Sequence, residues 1–173
     1  TQAIRRVLAA HDPYPGVALD RHWNIVIANA AALRLTAGLP TQVKQPVPNI
    51  FRIGLHPQGL AACTSNFDEW GRYMVSELER LAAASLDGAA EALLDEVRGY
   101  PNVQALLRGR PALPTRELLI PCVLDIAGER LSFFTTLATI GTPRDVTLAE
   151  LTLELFYPAD GATEAALRRL APT

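Results

Sequence analysis

Only two cysteines, Cys63 and Cys122, occur in 173 residues, and they lie far apart. They form neither a metal-type spacing nor a disulfide framework, so two free thiols in a reducing, cytoplasmic setting are expected. An excess of one charge is also missing. The formal net charge is -2, which gives no bulk attraction to nucleic acid. Arg108, Arg110 and Arg116 are loosely spread and make no basic cluster. No apolar run approaches the ~20 residues that span a bilayer, so no membrane partner is expected. The N-terminus, Thr1-Gln2-Ala3-Ile4-Arg5, is not a signal peptide and has no initiator Met, which points to a piece of a longer chain.

Catalytic motifs are missing too. There is no Gly-x-Ser-x-Gly, no Gly-rich phosphate loop, no His-Glu-x-x-His and no Cys-x-x-Cys. His11, His22 and His56 are separated and fall in predicted turns or loops, without ligand spacing, so no metal site is expected. Glu69, Glu77, Glu79, Asp95 and Glu96 read as solvated helix faces rather than an acid–base pair. A triad assembled from distant positions leaves no local motif, so a small enzyme stays as the lesser alternative. The reading is no enzyme, no catalytic residue and no required cofactor.

What is present is an ordinary globular mixture, 49% hydrophobic and 20% charged. The length suits one domain over 1–173. Ile4, Val7 and Leu8 predict a short amphipathic helix ending near His11. Pro15 to Asp20 reads as a strand and Asp20-Arg21-His22 as a tight turn. Trp23, Ile25 and Ile27 alternate with Asn24, Val26 and Ala28, as in a second strand. Asn29 is placed to cap a helix through Leu35. Residues 40–48, with Pro40, Pro46 and Pro48, read as a loop. Asn49 caps a short apolar helix through Leu55. Asn66 and Glu69 have capping-box spacing, followed by Phe67, Trp70, Met74, Leu78 and Leu81 in one helical stripe. Asp87 is expected to cap a further helix ended by Gly99, and Asn102 to start a short one ended by Gly109.

Residues 117–126 and 130–140 then read as strands joined at Ala127-Gly128-Glu129. A third run, Leu148 to Tyr157, sets Leu151, Leu153 and Leu155 on one face and Thr152 and Glu154 on the other. A final helix carries Ala166, Leu167 and Leu170. The order predicts an α+β fold. A five-stranded antiparallel sheet has helices inserted between strands 2 and 3, plus N- and C-terminal helices. That is a PAS-like arrangement.

The stretch from Pro15 through Asp20-Arg21-His22-Trp23 into Ala28-Asn29-Ala30-Ala31 resembles the opening of the ligand-binding domain of MmyB-like transcription regulators. The resemblance continues in Pro48-Asn49-Ile50-Phe51-Arg52, in the helix carrying Trp70, and in Tyr100-Pro101-Asn102-Val103. It departs from actinobacterial members in its shorter, Ala- and Leu-rich helical region. The resemblance implies a sensing domain that binds a fatty acid or similar lipid between sheet and helices. It also implies that DNA is contacted only through a separate N-terminal helix-turn-helix domain.

Candidate ligand contacts on the helices are Phe51, Arg52, Leu55 and His56, then Trp70, Tyr73, Met74 and Leu78. On the fourth strand they are Phe133, Phe134 and Leu137, with Phe133 and Phe134 on opposite faces. Arg52 and His56, one helical turn apart, form a possible carboxylate clamp, although an ordinary solvated Arg52 is the favoured alternative. For most of the helical stripe, plain core packing is the favoured reading. Binding is expected to move the helix of residues 66–84 or the loop 40–48, and through them the N-terminal helix. A homodimer is possible, and a dimerisation module without ligand is the main competing reading.

Overall fold

The computed structural model describes residues 2–109, 120–139 and 151–171. The chain divides into two compact units. One gathers Thr1–Gly38 and Ile126–Thr173, and the other is Leu39–Asp125. The elements run α1 (Gln2–Ala10), β1 (Gly16–Leu19), β2 (Ile25–Ala28), α2 (Ala30–Leu35), α3 (Ile50–Leu55), α4 (Phe67–Ala84), α5 (Ala89–Arg98), α6 (Pro101–Arg108), β3 (Cys122–Ile126), β4 (Glu129–Thr139), β5 (Thr152–Pro158) and α7 (Gly161–Leu170). The strands form one five-stranded antiparallel sheet of order β2-β1-β5-β4-β3. The expected PAS-like α+β arrangement is the one observed, with its helices inserted between the second and third strands.

In the first unit β5 is the central strand. It pairs with β1 through Ala18 opposite Leu153 and Val17 opposite Glu154. On its other side it pairs with β4 through Leu137 opposite Glu154 and Thr135 opposite Phe156. Side chains alternate across a strand, so each pairing assigns a face. Ala18, Leu151 and Leu153 pack with Ile4 and Leu8 of α1, and Ile27 and Leu155 flank them. The apolar stripe of α1 is therefore buried on the leucine face of the sheet.

Local chemistry fixes the ends of these elements. Asn29 caps α2 by accepting from Ala32 N at 3.0 Å. The Asp20 carboxylate accepts from the amides of His22 at 2.8 Å and Asn24 at 2.9 Å. This turn extends further than its sequence suggests. Trp23 lies within it at φ 65°, and β2 starts only at Ile25. Ala127 (φ 54°) and Gly128 (φ 80°) form the two-residue connection from β3 to β4, the left-handed backbone that such hairpins require. Asp160 caps α7 through Thr163 N at 2.7 Å. The fully buried Thr163 hydroxyl accepts from Ser132 N at 2.9 Å, fastening α7 to β4.

In the second unit Asn49 caps α3 through the amides of Phe51 and Arg52. Gly54 lets α3 approach α4 closely. A methyl group there would lie 3.0 Å from the Trp70 ring and 3.4 Å from the Met74 methyl. Three expectations are corrected here. Asn66 makes no capping bond to α4. Its amide is spent on the chain around β3 instead, donating to Pro121 O at 2.7 Å and accepting from Val123 N at 3.1 Å. The stretch 40–48 contains a 3-10 turn, Thr41–Lys44, anchored by the fully buried Val43. α6 begins at Pro101 after Tyr100 rather than at Asn102. At the start of α5, next to Gly88 in the left-handed region, Asp87 accepts from Ala89 N at 3.1 Å, as its position before that helix suggests. Arg110, Arg116, and the expected strand residues 117–119, 140 and 148–150 lie outside the described residues.

Candidate ligand-binding face

The face of the sheet opposite α1 is built from alternate residues of three strands. β1 contributes Val17 and Leu19, both buried. β4 contributes Leu131, Phe133, Thr135 and Leu137, and β5 contributes Thr152, Glu154 and Phe156. Burial falls along β4. Leu131 and Phe133 are each 1% exposed, whereas Leu137 is 55% exposed. Phe133 meets Phe156 edge to face, with ring centroids 6.2 Å apart. Exposure on this face thus rises from the aromatic end, at Phe133 and Phe156, toward Leu137.

One residue on this face is out of keeping with the rest. Glu154 stands on the central strand between Val17 and Leu137. Its carboxylate oxygen Oε2 is shut off from solvent and has no hydrogen-bond partner among the described residues. Burial pushes the Glu154 carboxyl up to about 7, because a charge removed from water without a partner is unfavourable. The alternation of β5 placed Glu154 on the face away from the leucines. A two-residue period does not reveal whether that face is covered.

The sequence-predicted contacts fall into two groups. On β4, Phe133 lies on the face just described and Leu137 lies at its open end. The structure does not bring Phe134 to them, since it stacks on Tyr157 on the other face, with centroids 5.4 Å apart and the rings 15° from parallel. In the second unit Phe51, Leu55, Trp70 and Leu78 are buried. Met74 is half-buried and sits against Gly54, while Tyr73 is 43% exposed.

The expected clamp takes a different form. Both arms of the Arg52 fork bind Glu96, Nε to Oε1 at 2.7 Å and Nη2 to Oε2 at 2.8 Å. Nη1 donates to Val47 O. Tyr100 donates to the same carboxylate, and the His56 ring packs edge-on against Tyr100. The hydrogen bond from Arg52 holds the Glu96 carboxyl below the usual carboxylate range. The fork that would meet a ligand carboxylate is therefore already engaged within the protein, and Glu96 is part of that network rather than a simple solvated helix face.

Comparison with known proteins gives the family. The profile of the MmyB-like transcription regulator ligand binding domain matches residues 1–170. The chain belongs to that family. A search among curated proteins finds no match. Among solved structures, this MmyB-like domain is similar to the PAS domain of BvgS from Bordetella pertussis. Identity is 14%, covering 98% of this chain and 92% of that one, with a TM-score of 0.38. That family consists of ligand-binding domains of transcription regulators. Among the described residues no helix is long and apolar enough to cross a membrane, and no three His, Cys, Asp or Glu side chains group as metal ligands.

Proposed function

We propose that this domain senses a small, largely apolar ligand of fatty-acid type, laid along the sheet face that carries Phe133. Its occupancy then alters DNA binding by a helix-turn-helix domain of the same regulator. Family membership supports the ligand and the regulatory role. The observation that supports the placement is the run of Val17, Leu19, Phe133 and Phe156 on the side opposite α1, with Leu137 exposed beyond them.

Each methylene buried there contributes ~0.8 kcal/mol. A chain of about a dozen carbons thus offsets substantial association costs. Binding becomes a signal only if two protein states hold the ligand unequally. The sheet is one strand thick between the ligand face and the seat of α1, where Ile4 and Leu8 rest on Ala18 and Leu153. A ligand that shifts β1 or β5 changes the seat of α1 directly. The reading is binding without catalysis, which membership of a family of ligand-binding domains supports.

Denaturing extraction of the purified protein followed by mass spectrometry tests this. The expected result is a stoichiometric fatty acid or similar lipid, or thermal stabilisation when medium- and long-chain acids are added. An empty extract with no stabilisation by any of them would overturn the reading.

A further inference from the structure

We propose that Glu154 is the polar anchor of the ligand site, so that the ligand joins an apolar chain to a hydrogen-bond donor, an alcohol or an ammonium group, at the end that meets this carboxylate. The inference rests on the ligand-binding reading above and specifies the chemistry of the molecule bound.

Three observations converge on it. Glu154 lies on the central strand of the face assigned to the ligand, opposite Val17 on β1 and Leu137 on β4. Its Oε2 is shut off from solvent without a hydrogen-bond partner among the described residues. The residues flanking it on that face, Val17, Leu19, Thr135, Leu137, Thr152 and Phe156, carry no charge. A carboxylate oxygen shut off from water without a partner, on an otherwise half-buried side chain, is unfavourable in such surroundings. Sites that bind apolar molecules commonly hold one well-placed polar group that orients the ligand. A donor on the ligand supplies the missing hydrogen bond, and an apolar body covers the side chains around it.

A fatty acid meets this requirement only in part. Two carboxylates side by side repel, so an acid is accepted when one proton is shared between its carboxyl and that of Glu154. Acid binding therefore takes up a proton and weakens as pH rises. An ammonium group has the opposite dependence, because it binds the ionised form of Glu154 and tightens as that form fills. The two head groups separate by the sign of their pH slope around the Glu154 midpoint of about 7.

The test is isothermal titration of the whole chain with four probes built on a ten-carbon chain, namely decylamine, decan-1-ol, decyl methyl ether and decanoic acid. It is made one unit below and one unit above that midpoint. The expected result is that the amine and the alcohol bind about tenfold more tightly than the ether, the margin of a hydrogen bond to a charged group. Decylamine tightens with rising pH and decanoic acid weakens. Glu154→Leu abolishes the preference for amine and alcohol over ether. Glu154→Gln keeps the alcohol and loses the amine advantage. Should Glu154→Leu fail to fold, the ranking and the pH slopes of the unmodified protein decide with Glu154→Gln. Equal affinity for amine, alcohol and ether, unchanged by either substitution, overturns the anchor and leaves the ligand reading standing. Binding of none of the four overturns both.

Discussion

The side-chain oxygen of Asn29 accepts a hydrogen bond from the backbone amide of Gly16 at 3.0 Å, tying the start of α2 to the first residue of β1. The same oxygen caps α2 through Ala32 N. Its Nδ2 donates to Leu8 O at 3.1 Å and Tyr14 O at 2.8 Å. One buried amide thus joins α1, β1 and α2. Asn29→Ala is expected to destabilise the fold by ~3 kcal/mol, since it leaves several buried backbone groups unpaired. Asn29→Asp is expected to be harmful as well. At an exposed cap Asp replaces Asn freely, but here it removes both donors. Urea denaturation of the two variants checks this, and an unperturbed Asp variant would contradict the fourfold role.

The Glu154 carboxyl gives a second expectation, for the ligand-free protein. Its folded-state value of about 7 lies above the ordinary carboxylate value of 4.5. Between those values the folded state holds a proton that the unfolded state has lost, so stability falls as pH rises through this window and stays reduced above it. The full loss is about 3 kcal/mol, at ~1.4 kcal/mol per unit. Glu154→Leu is expected to raise stability above neutral pH and to flatten the slope. Denaturation midpoints from mildly acidic to mildly alkaline pH measure this directly. A wild-type stability that holds level across the window would show the carboxylate to be satisfied in solution.

The pair of Arg52 and Glu96 makes a third. Its geometry is a two-point fork, which a lysine does not reproduce. Arg52→Lys is expected to cost about 1 kcal/mol, a modest figure because Glu96 is 40% exposed and screened by solvent. Glu96 is held below the usual carboxylate range chiefly by this bond. The contribution is therefore present above the ordinary carboxylate value and is lost as pH falls through the lowered one. A double-mutant cycle of Arg52→Lys and Glu96→Gln, followed by thermal unfolding at neutral and acid pH, separates the pair from its surroundings.

Features set by short-range chemistry were legible in the sequence. The cap at Asn29, the cap at Asn49 and the alternation of Leu151, Leu153 and Leu155 each depend on neighbours within a few positions. The five-stranded antiparallel sheet with helices between its second and third strands followed from the order of the elements along the chain. Features set by distant partners were not legible. Asn66 has the spacing of a capping residue, yet its amide bonds to Pro121 and Val123, more than fifty positions away. Arg52 looked available to a ligand because its partner Glu96 stands 44 positions along the chain. Glu154 read as the polar member of an alternating strand. Only the pairing with β1 and β4 shows its cross-strand neighbours, Val17 and Leu137, to be apolar.

The alternation along β5 has an evolutionary consequence. Leu153 and Leu155 belong to the packing under α1, while Glu154 and Phe156 belong to the opposite surface. With the ligand on the face proposed above, substitutions at the even positions would retune which molecule is recognised without disturbing the seat of the N-terminal helix. Those at the odd positions can alter how strongly a signal is passed on without changing what is bound. On that proposal, selectivity and response would be written in interleaved letters of one strand, and the two could diverge independently among descendants of the same fold.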